Sequence, residues 1–101
     1  MATEDGLDTA LARRLRGLGH RLRPVVQVGR DGLSAPVVDS ARQALAAREL
    51  IKVRFGRGFE GEPAAAARQL ATTLEAHLVQ RIGRVALYWK PAPRDDERLS
   101  R

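Results

Sequence analysis

The sequence predicts a single α/β (α+β) domain in which helices pack against a mixed, partly parallel sheet. A chain of 101 residues allows one domain with a modest core. Its hydrophobic periodicity switches repeatedly between helical and strand spacing, in the order α-β-α-β-α-β-β. Two of the predicted helices connect successive strands, which is the connection that parallel pairing requires.

The first helix is predicted from a stripe of leucines that recur every three or four residues and should face the core. They are Leu7, Leu11, Leu15, Leu18 and Leu22. Gly17 and Gly19 weaken the end of this helix, and Pro24 forbids its continuation. The next four residues, 25–28, are rich in β-branched side chains and predict a buried strand.

A turn and a second helix follow this strand. The sequence Gly29-Arg30-Asp31-Gly32 is typical of a turn. Ser34 is positioned to cap a helix, and Pro36 falls in the first helical turn, where a missing N–H does little harm. Apolar residues at helical spacing extend this helix to about Arg48.

The second strand is predicted over residues 50–55, where apolar and polar side chains alternate. Ile51, Val53 and Phe55 lie on one face, and the other face carries Lys52 and Arg54. The six residues that follow, 56–61, include three glycines and predict a flexible loop whose role the sequence leaves open.

A third helix and a hairpin complete the predicted domain. Pro63 should begin the helix, and residues 78–82 and 85–89 should form two strands joined at Gly83-Arg84. On the last strand we expect Trp89 in the core and Tyr88 as the residue able to stack on a nucleobase. Residues 91–101 are polar and interrupted by prolines, which predicts a charged flexible tail.

The charge distribution points to a polyanionic partner. The net charge is +6, and residues 9–30 contain six arginines and no acidic residue. The positive electrostatic field of such a segment attracts polyanions, of which nucleic acid is the commonest. The alternative is a solvated arginine-rich surface in a protein of biased composition, because the chain has 16 arginines and two lysines.

Several classes of protein are excluded or unsupported. The chain has no cysteine, no apolar run long enough to span a membrane and an acidic N-terminus unlike a secretion signal, so we expect a cytoplasmic protein. His20 and His77 lie in unrelated segments without a carboxylate at motif spacing. Ser34 lacks a nucleophile-elbow context, and the 29–32 turn lacks the signature of a nucleotide-binding loop. We therefore expect no enzyme, no cofactor, no metal and no small-molecule substrate.

Three blocks in order resemble the chloroplast RNA splicing and ribosome maturation (CRM) domain family, in its stand-alone bacterial YhbY-type form. They are LRPVVQVGRDGLS at residues 22–34, LAARELIKV at 45–53 and LVQRIGRVALY at 78–88. The chain departs from the family pattern in having Arg23 and Arg30 where the family has lysines, so the charge is kept while the donor geometry changes. Ser34 replaces the family's threonine.

The resemblance covers residues 7–90, which we expect to form the RNA-binding domain after a disordered N-terminus at residues 1–6. It implies a four-stranded mixed sheet flanked by three helices, similar to the C-terminal domain of translation initiation factor three. It also implies binding to RNA. The bacterial members are associated with precursors of the large ribosomal subunit, and the plant members with group II intron splicing.

The turn at residues 29–32 is the first candidate RNA-binding element. Gly29 and Gly32 would let the backbone approach a phosphodiester, and the helix that follows adds its positive dipole end. Arg30 can donate two hydrogen bonds to one phosphate. The alternative is a plain strand-to-helix turn. Asp31 would repel phosphate and is not expected to contact it.

Basic residues elsewhere are candidates to extend this surface. They are Arg13, Arg14, Arg21 and Arg23, provided that the first helix ends near the turn, and Lys52, Arg54 and Arg84 on the sheet and hairpin. Their contacts to phosphate would add affinity without sequence preference. In the alternative interpretation, some of the helix arginines only solvate the surface, and helices cover both faces of the sheet.

The sequence thus predicts a monomeric RNA-binding protein that acts in ribosome assembly on rRNA of the pre-large subunit. Two alternatives stay open at this point. One is a protein-interaction factor whose basic face docks an acidic partner. The other is an RNA-binding regulator that acts outside ribosome assembly.

Overall fold

A computed structural model describes residues 7–91, which form three helices and one four-stranded sheet. The elements are α1 (Thr9–Gly19), β1 (Pro24–Val28), α2 (Ala35–Arg48), β2 (Leu50–Phe55), α3 (Pro63–Leu74), β3 (His77–Ile82) and β4 (Val85–Trp89). Their order confirms the predicted α/β (α+β) fold. The predicted N-terminal segment, 1–6, and the predicted tail beyond residue 91 lie outside the described residues.

The sheet has the strand order β1-β2-β4-β3 and is mixed, as predicted. β1 and β2 are parallel, whereas β4 is antiparallel to both β2 and β3. Because β1 and β2 end at the same end of the sheet, the 29–32 and 56–61 loops lie there together. The Gly83-Arg84 turn between β3 and β4 lies there too, since Arg54 of β2 pairs with Val85. We call this the loop end of the sheet.

The main core lies between the sheet and the two later helices. α2 packs against β1 and β2, and α3 packs against β3. The alternation predicted for β2 places Ile51, Val53 and Phe55 in this core, where each is at most 1% exposed. Burial of these apolar side chains, together with the alanine and leucine stripe of α3, provides most of the hydrophobic stabilisation.

α1 packs on the opposite face of the sheet over a smaller cluster formed by Leu15, Val79 and Leu87. This helix has only 11 residues and does not extend over the whole face. Val25 of β1 is therefore 40% exposed and Ile82 of β3 is 63% exposed. The alternative interpretation, in which helices cover both faces, therefore fails for the part of this face that α1 leaves uncovered, which we call the open half-face.

The predicted leucine stripe of α1 is wrong at Leu18, which is 53% exposed. The residue that faces the sheet is Gly19, where an added Cβ would lie 2.6 Å from Cδ2 of Leu87. Successive helical residues are rotated by about 100°, so the contact of Gly19 turns Leu18 toward solvent. The helix also begins later than Leu7, because the Asp8 carboxylate accepts a hydrogen bond from the Leu11 N–H at 3.2 Å.

The predicted role of Tyr88 is also wrong, whereas Trp89 packs against the smaller cluster, on the core side, as expected. Tyr88 is fully buried, and its hydroxyl donates a hydrogen bond to the carbonyl oxygen of Ala67 at 2.8 Å. Trp89 is half-buried under α1, with its ring centroid 5.5 Å from that of His77. The reason is that β4 is an internal strand whose even-numbered residues face α2 and α3. Tyr88 is therefore unable to stack on a nucleobase.

The helix caps differ in how they are made. Ser34 occupies the N-cap position of α2, as expected, but its side chain makes no capping hydrogen bond. α3 is capped instead by Glu62, whose carboxylate accepts from the N–H groups of Ala64 (3.2 Å) and Ala65 (3.0 Å).

Within residues 7–91, no helix combines the length and the apolar character that a membrane span requires.

Candidate nucleic-acid interface

The 29–32 turn presents backbone donors at the loop end of the sheet; we call it the GxxG loop. The Gly32 N–H donates to the carbonyl oxygen of Gly29 at 3.0 Å, and Gly32 adopts a φ of +65°, which favours glycine. Nothing lies within 4 Å of a Cβ placed on Gly29, so space is open beside it. No hydrogen bond within residues 7–91 occupies the N–H groups of Arg30 and Asp31. Two unpaired N–H groups next to the exposed Arg30 side chain make this turn able to bind an anion.

The start of α2 adds to this electrostatic environment. α2 begins at Ala35, three residues after Gly32, and the positive end of its dipole therefore lies beside the GxxG loop. Leu33 packs against the main core and fixes the connection between the loop and the helix. The predicted combination of glycine turn, arginine and helix N-terminus is thus present in one place.

A second loop, residues 56–61, lies in contact with the GxxG loop, and we call it the second glycine loop. The Gly56 N–H donates to the Val28 carbonyl oxygen at 2.9 Å, so parallel pairing continues one residue beyond β2. A Cβ on Gly58 would lie 3.6 Å from the backbone nitrogen of Arg30. The two loops therefore pass each other without a side chain between them.

Phe59 anchors the second glycine loop to the core. Its ring lies 5.3 Å from the ring of buried Phe55, measured between centroids, and 3.8 Å from a Cβ placed on Gly32. A Cβ on Gly61 would come within 2.5 Å of the same ring. The prediction of a loop is confirmed, but Phe59 holds it against the sheet and the GxxG loop, whereas the glycine content alone suggested a freely flexible segment.

Arg84, a predicted RNA contact, also supports this loop. Its Nη1 donates to the carbonyl oxygens of Phe55 (3.3 Å) and Gly56 (3.0 Å). The residue is otherwise exposed at the turn between β3 and β4. Its guanidinium thus joins the hairpin to the start of the second glycine loop and keeps positive charge at the loop end.

Lys52 and Arg54 lie on the open half-face, below the two loops. Arg54 is exposed and pairs with Gln27 of β1 and Val85 of β4. Lys52 is half-buried and lines a cavity of about 210 Å³ in front of the end of α1. The other residues that line this cavity are Gly19, His20, Gln80, Ile82, Val85 and Leu87. This surface is cationic and partly apolar.

The predicted basic residues that precede β1 lie elsewhere. Arg13 and Arg14 are exposed on α1. Arg21 and Arg23 lie at the start of β1, a full strand of about 16 Å away from the GxxG loop. The condition that α1 ends near this loop is not met, because its last residue packs on Leu87 in the middle of the sheet.

Arg21 and Arg23 instead line a separate cavity of about 340 Å³ together with Arg48, which the sequence did not single out. The structure therefore does not bring all the predicted site residues together. The loop end holds Gly29, Arg30, Gly32, Arg54 and Arg84, and the strand-start end holds Arg21 and Arg23. Lys52 pairs with Pro24, the first residue of β1, and Arg13 and Arg14 lie on α1.

The acidic residues near the loop end do not neutralise it. Asp31 and Glu60 are exposed, but four arginines lie in the same region, including Arg57 of the second glycine loop. Glu62 is engaged at the start of α3, where the N–H groups of Ala64 and Ala65 lower the pKa of its carboxyl group. The loop end is therefore positively charged, as binding to a phosphate backbone requires.

Comparisons with known proteins agree on one family. Residues 7–90 match the family model of the CRS1 / YhbY (CRM) domain. The chain is 32% identical over 88 residues to Probable RNA-binding protein PA4753 of Pseudomonas aeruginosa, which covers 87% of this chain and 85% of that protein. It is 36% identical over 78 residues to Probable RNA-binding protein YqeI of Bacillus subtilis, covering 77% and 81%.

A third relative, named RNA-binding protein of Haemophilus influenzae, is 31% identical over 86 residues, which cover 85% of this chain and 87% of that protein. The solution structure of the hypothetical protein SAV1595 from Staphylococcus aureus superposes with a TM-score of 0.74 at 27% identity. The superposition covers 90% of this chain and 95% of that one. The fold described above is therefore shared with a solved structure over almost its whole length.

Proposed function

Because the chain belongs to the CRS1 / YhbY (CRM) domain family, we propose that it is a cytoplasmic RNA-binding protein that acts in ribosome assembly. Its target in this proposal is rRNA of the precursor of the large subunit. It acts by binding and carries out no catalysis. Its relatives named as RNA-binding proteins support RNA as the partner.

The observation that carries the proposal is the GxxG loop with its two unpaired N–H groups. Within residues 7–91 no hydrogen bond occupies these N–H groups, the Arg30 side chain is exposed, space is open beside Gly29, and α2 begins three residues after the loop. A phosphodiester oxygen accepts hydrogen bonds from N–H donors, and it is attracted by the charge of Arg30 and by the positive end of the α2 dipole. Phosphate contacts of this kind give affinity and position the RNA without reading its sequence.

The open half-face supplies the rest of the surface. Lys52 and Arg54 lie on β2, directly before the second glycine loop, so RNA that leaves the GxxG loop can continue over them. The half-exposed apolar side chains on the same face suit contact with unstacked bases. Bound in this way, the protein would stabilise one fold of the rRNA, or shield one site, until assembly proceeds.

The proposal is tested on a sucrose gradient of cell lysate at low magnesium, which separates the ribosomal subunits. Tagged parent protein is compared with Arg30→Glu and with Arg42→Glu, a matched charge reversal on α2, whose side chain contacts the Thr73 carbonyl on the helical face. We expect the parent and Arg42→Glu at or just below the large subunit, and Arg30→Glu at the top.

Parent protein that stays at the top of the gradient, even at low salt, would contradict the assembly role. Filter binding with mixed RNAs at low ionic strength then separates the remaining candidates. Saturable retention would indicate an RNA-binding regulator that acts elsewhere, and weak, non-saturable retention would indicate that the basic face docks an acidic protein.

A further inference from the structure

The second glycine loop is a feature that neither the family resemblance nor the relatives explain. We propose that it is a second phosphate-binding element, which acts with the GxxG loop on one RNA backbone through Arg57 and its own N–H groups. This inference rests on the proposed RNA-binding function and adds a contact to it.

The first argument is the position of the loop. The Gly56 N–H bonds to the Val28 carbonyl, so the two loops leave the ends of β1 and β2 side by side. The site of a Gly58 Cβ is 3.6 Å from the Arg30 nitrogen, an ordinary packing distance, so the two backbones are direct neighbours. A single phosphodiester backbone that reaches the GxxG loop from solvent therefore also meets the second loop.

The second argument is the set of donors that the loop presents. No hydrogen bond within the described part of the chain occupies the N–H groups of Arg57 and Gly58, although the Phe59 N–H closes a turn onto the Gly56 carbonyl at 3.1 Å. The Arg57 side chain is exposed. Two unpaired N–H groups beside one arginine repeat the chemistry of the GxxG loop at Arg30 and Asp31.

The third argument is that the loop is held in place before any RNA binds. Phe59 packs on Phe55, and Arg84 donates to the carbonyl oxygens of Phe55 and Gly56. A Cβ on Gly61 would collide with the Phe59 ring at 2.5 Å, so this packing depends on glycine at that position. A pre-organised loop loses less conformational entropy on binding than a mobile one, which favours a role in binding.

The test measures binding of a short, fluorescent, single-stranded RNA of mixed sequence as a function of salt. The variants are Arg57→Gln, Arg30→Gln, the double variant and Arg42→Gln as the control on α2. One lost phosphate contact lowers the slope of log affinity against log salt by about 0.7 in magnitude. We therefore expect Arg57→Gln and Arg30→Gln each to lower the slope by about 0.7, the double variant by about twice as much, and Arg42→Gln to leave it unchanged.

Gly58→Ala tests the backbone contact without a change in charge. An added methyl 3.6 Å from the Arg30 nitrogen makes only an ordinary packing contact, so the fold should persist, but the methyl would shield that N–H from a phosphate. We expect weaker RNA binding with a nearly unchanged salt slope. Circular dichroism of each variant confirms that it is folded.

The outcomes separate this inference from the function on which it rests. Parent-like affinity and slope in Arg57→Gln, together with a loss in Arg30→Gln, would overturn the second loop as a binding element and leave RNA binding in place. Failure of the parent protein to bind RNA saturably would overturn both.

Discussion

Arg84 and Gly56 are 28 residues apart in the chain, yet Nη1 of Arg84 donates to the Gly56 carbonyl oxygen at 3.0 Å. This hydrogen bond joins the turn between β3 and β4 to the loop that follows β2. It ties the hairpin turn to the loop end of the sheet, which carries both the GxxG loop and the second glycine loop. A residue expected to bind RNA thus has a structural role in positioning the loop beside it.

Replacing Arg84 should therefore lower stability as well as charge. Hydrogen bonds to charged groups are worth about 1.5–3 kcal/mol when buried, and solvent exposure here reduces the expected loss for Arg84→Ala to about 1 kcal/mol. Urea unfolding measures it. Arg81→Ala is the control, because the Arg81 side chain donates to the Gly83 carbonyl of its own hairpin at 2.7 Å and not to the second glycine loop. Equal stabilities of Arg84→Ala and the parent would show that the contact does not hold the loop.

The two glycines of the GxxG loop should respond differently to substitution. Gly32 has a φ of +65°, so Gly32→Ala should cost about 1–2 kcal/mol of folding stability. Gly29 lacks such a constraint and has open space at its Cβ position, so Gly29→Ala should change stability by less than about 0.5 kcal/mol. Thermal unfolding of both variants checks this difference, and similar losses at the two positions would contradict the described turn.

Much of this fold follows from local sequence signals. The alternation from Leu50 to Phe55 and the prolines at the starts of α2 and α3 identify their elements directly, because each reflects burial or backbone geometry within a few residues. The side of the sheet that Tyr88 faces could not be predicted from local sequence, since it depends on which side of the internal strand β4 packs against the two larger helices. The same is true of Leu18, whose exposure depends on the contact between Gly19 and Leu87.

The candidate site was predictable only in part for a similar reason. Gly29, Arg30 and Gly32 form one continuous motif, and the structure keeps them together. Arg57 has no motif of its own, and its place beside Arg30 results from the parallel pairing of β1 and β2. The one available signal was that both strands end in a glycine-rich segment, which becomes informative when the strands are known to be parallel.

Tyr88→Phe should lower stability without affecting RNA binding. The change removes a buried hydroxyl whose hydrogen bond to the Ala67 carbonyl joins β4 to α3. The expected loss is about 1 kcal/mol in the free energy of unfolding, measured in urea. RNA affinity should equal that of the parent, since the ring is fully buried. Weaker RNA binding by a folded Tyr88→Phe would indicate that the ring reaches the RNA after all.

Acid should weaken the N-cap of α3. The pKa of Glu62 is lowered below its ordinary value of 4.5, chiefly by the hydrogen bonds from the Ala64 and Ala65 N–H groups. A lowered pKa in the folded state means that the charged carboxylate stabilises the fold above pH 4.5 and that this stabilisation is lost as the pH falls through the folded-state value. Glu62→Gln should therefore be less stable than the parent at neutral pH.

The difference in melting temperature between Glu62→Gln and the parent should shrink as the pH is lowered below 4.5, where the parent carboxylate takes up a proton. A difference that stays constant from neutral to acidic pH would show that the cap does not depend on charge.

The most direct test of RNA binding through the GxxG loop is a salt titration of the affinity for mixed RNA, measured by fluorescence anisotropy for the parent, Arg30→Gln and Arg42→Gln. Binding through phosphate contacts of Arg30 predicts a saturable parent isotherm and a slope that falls in magnitude by about 0.7 in Arg30→Gln alone. Identical affinities and slopes for all three proteins would contradict the assignment of the GxxG loop as the RNA-binding element.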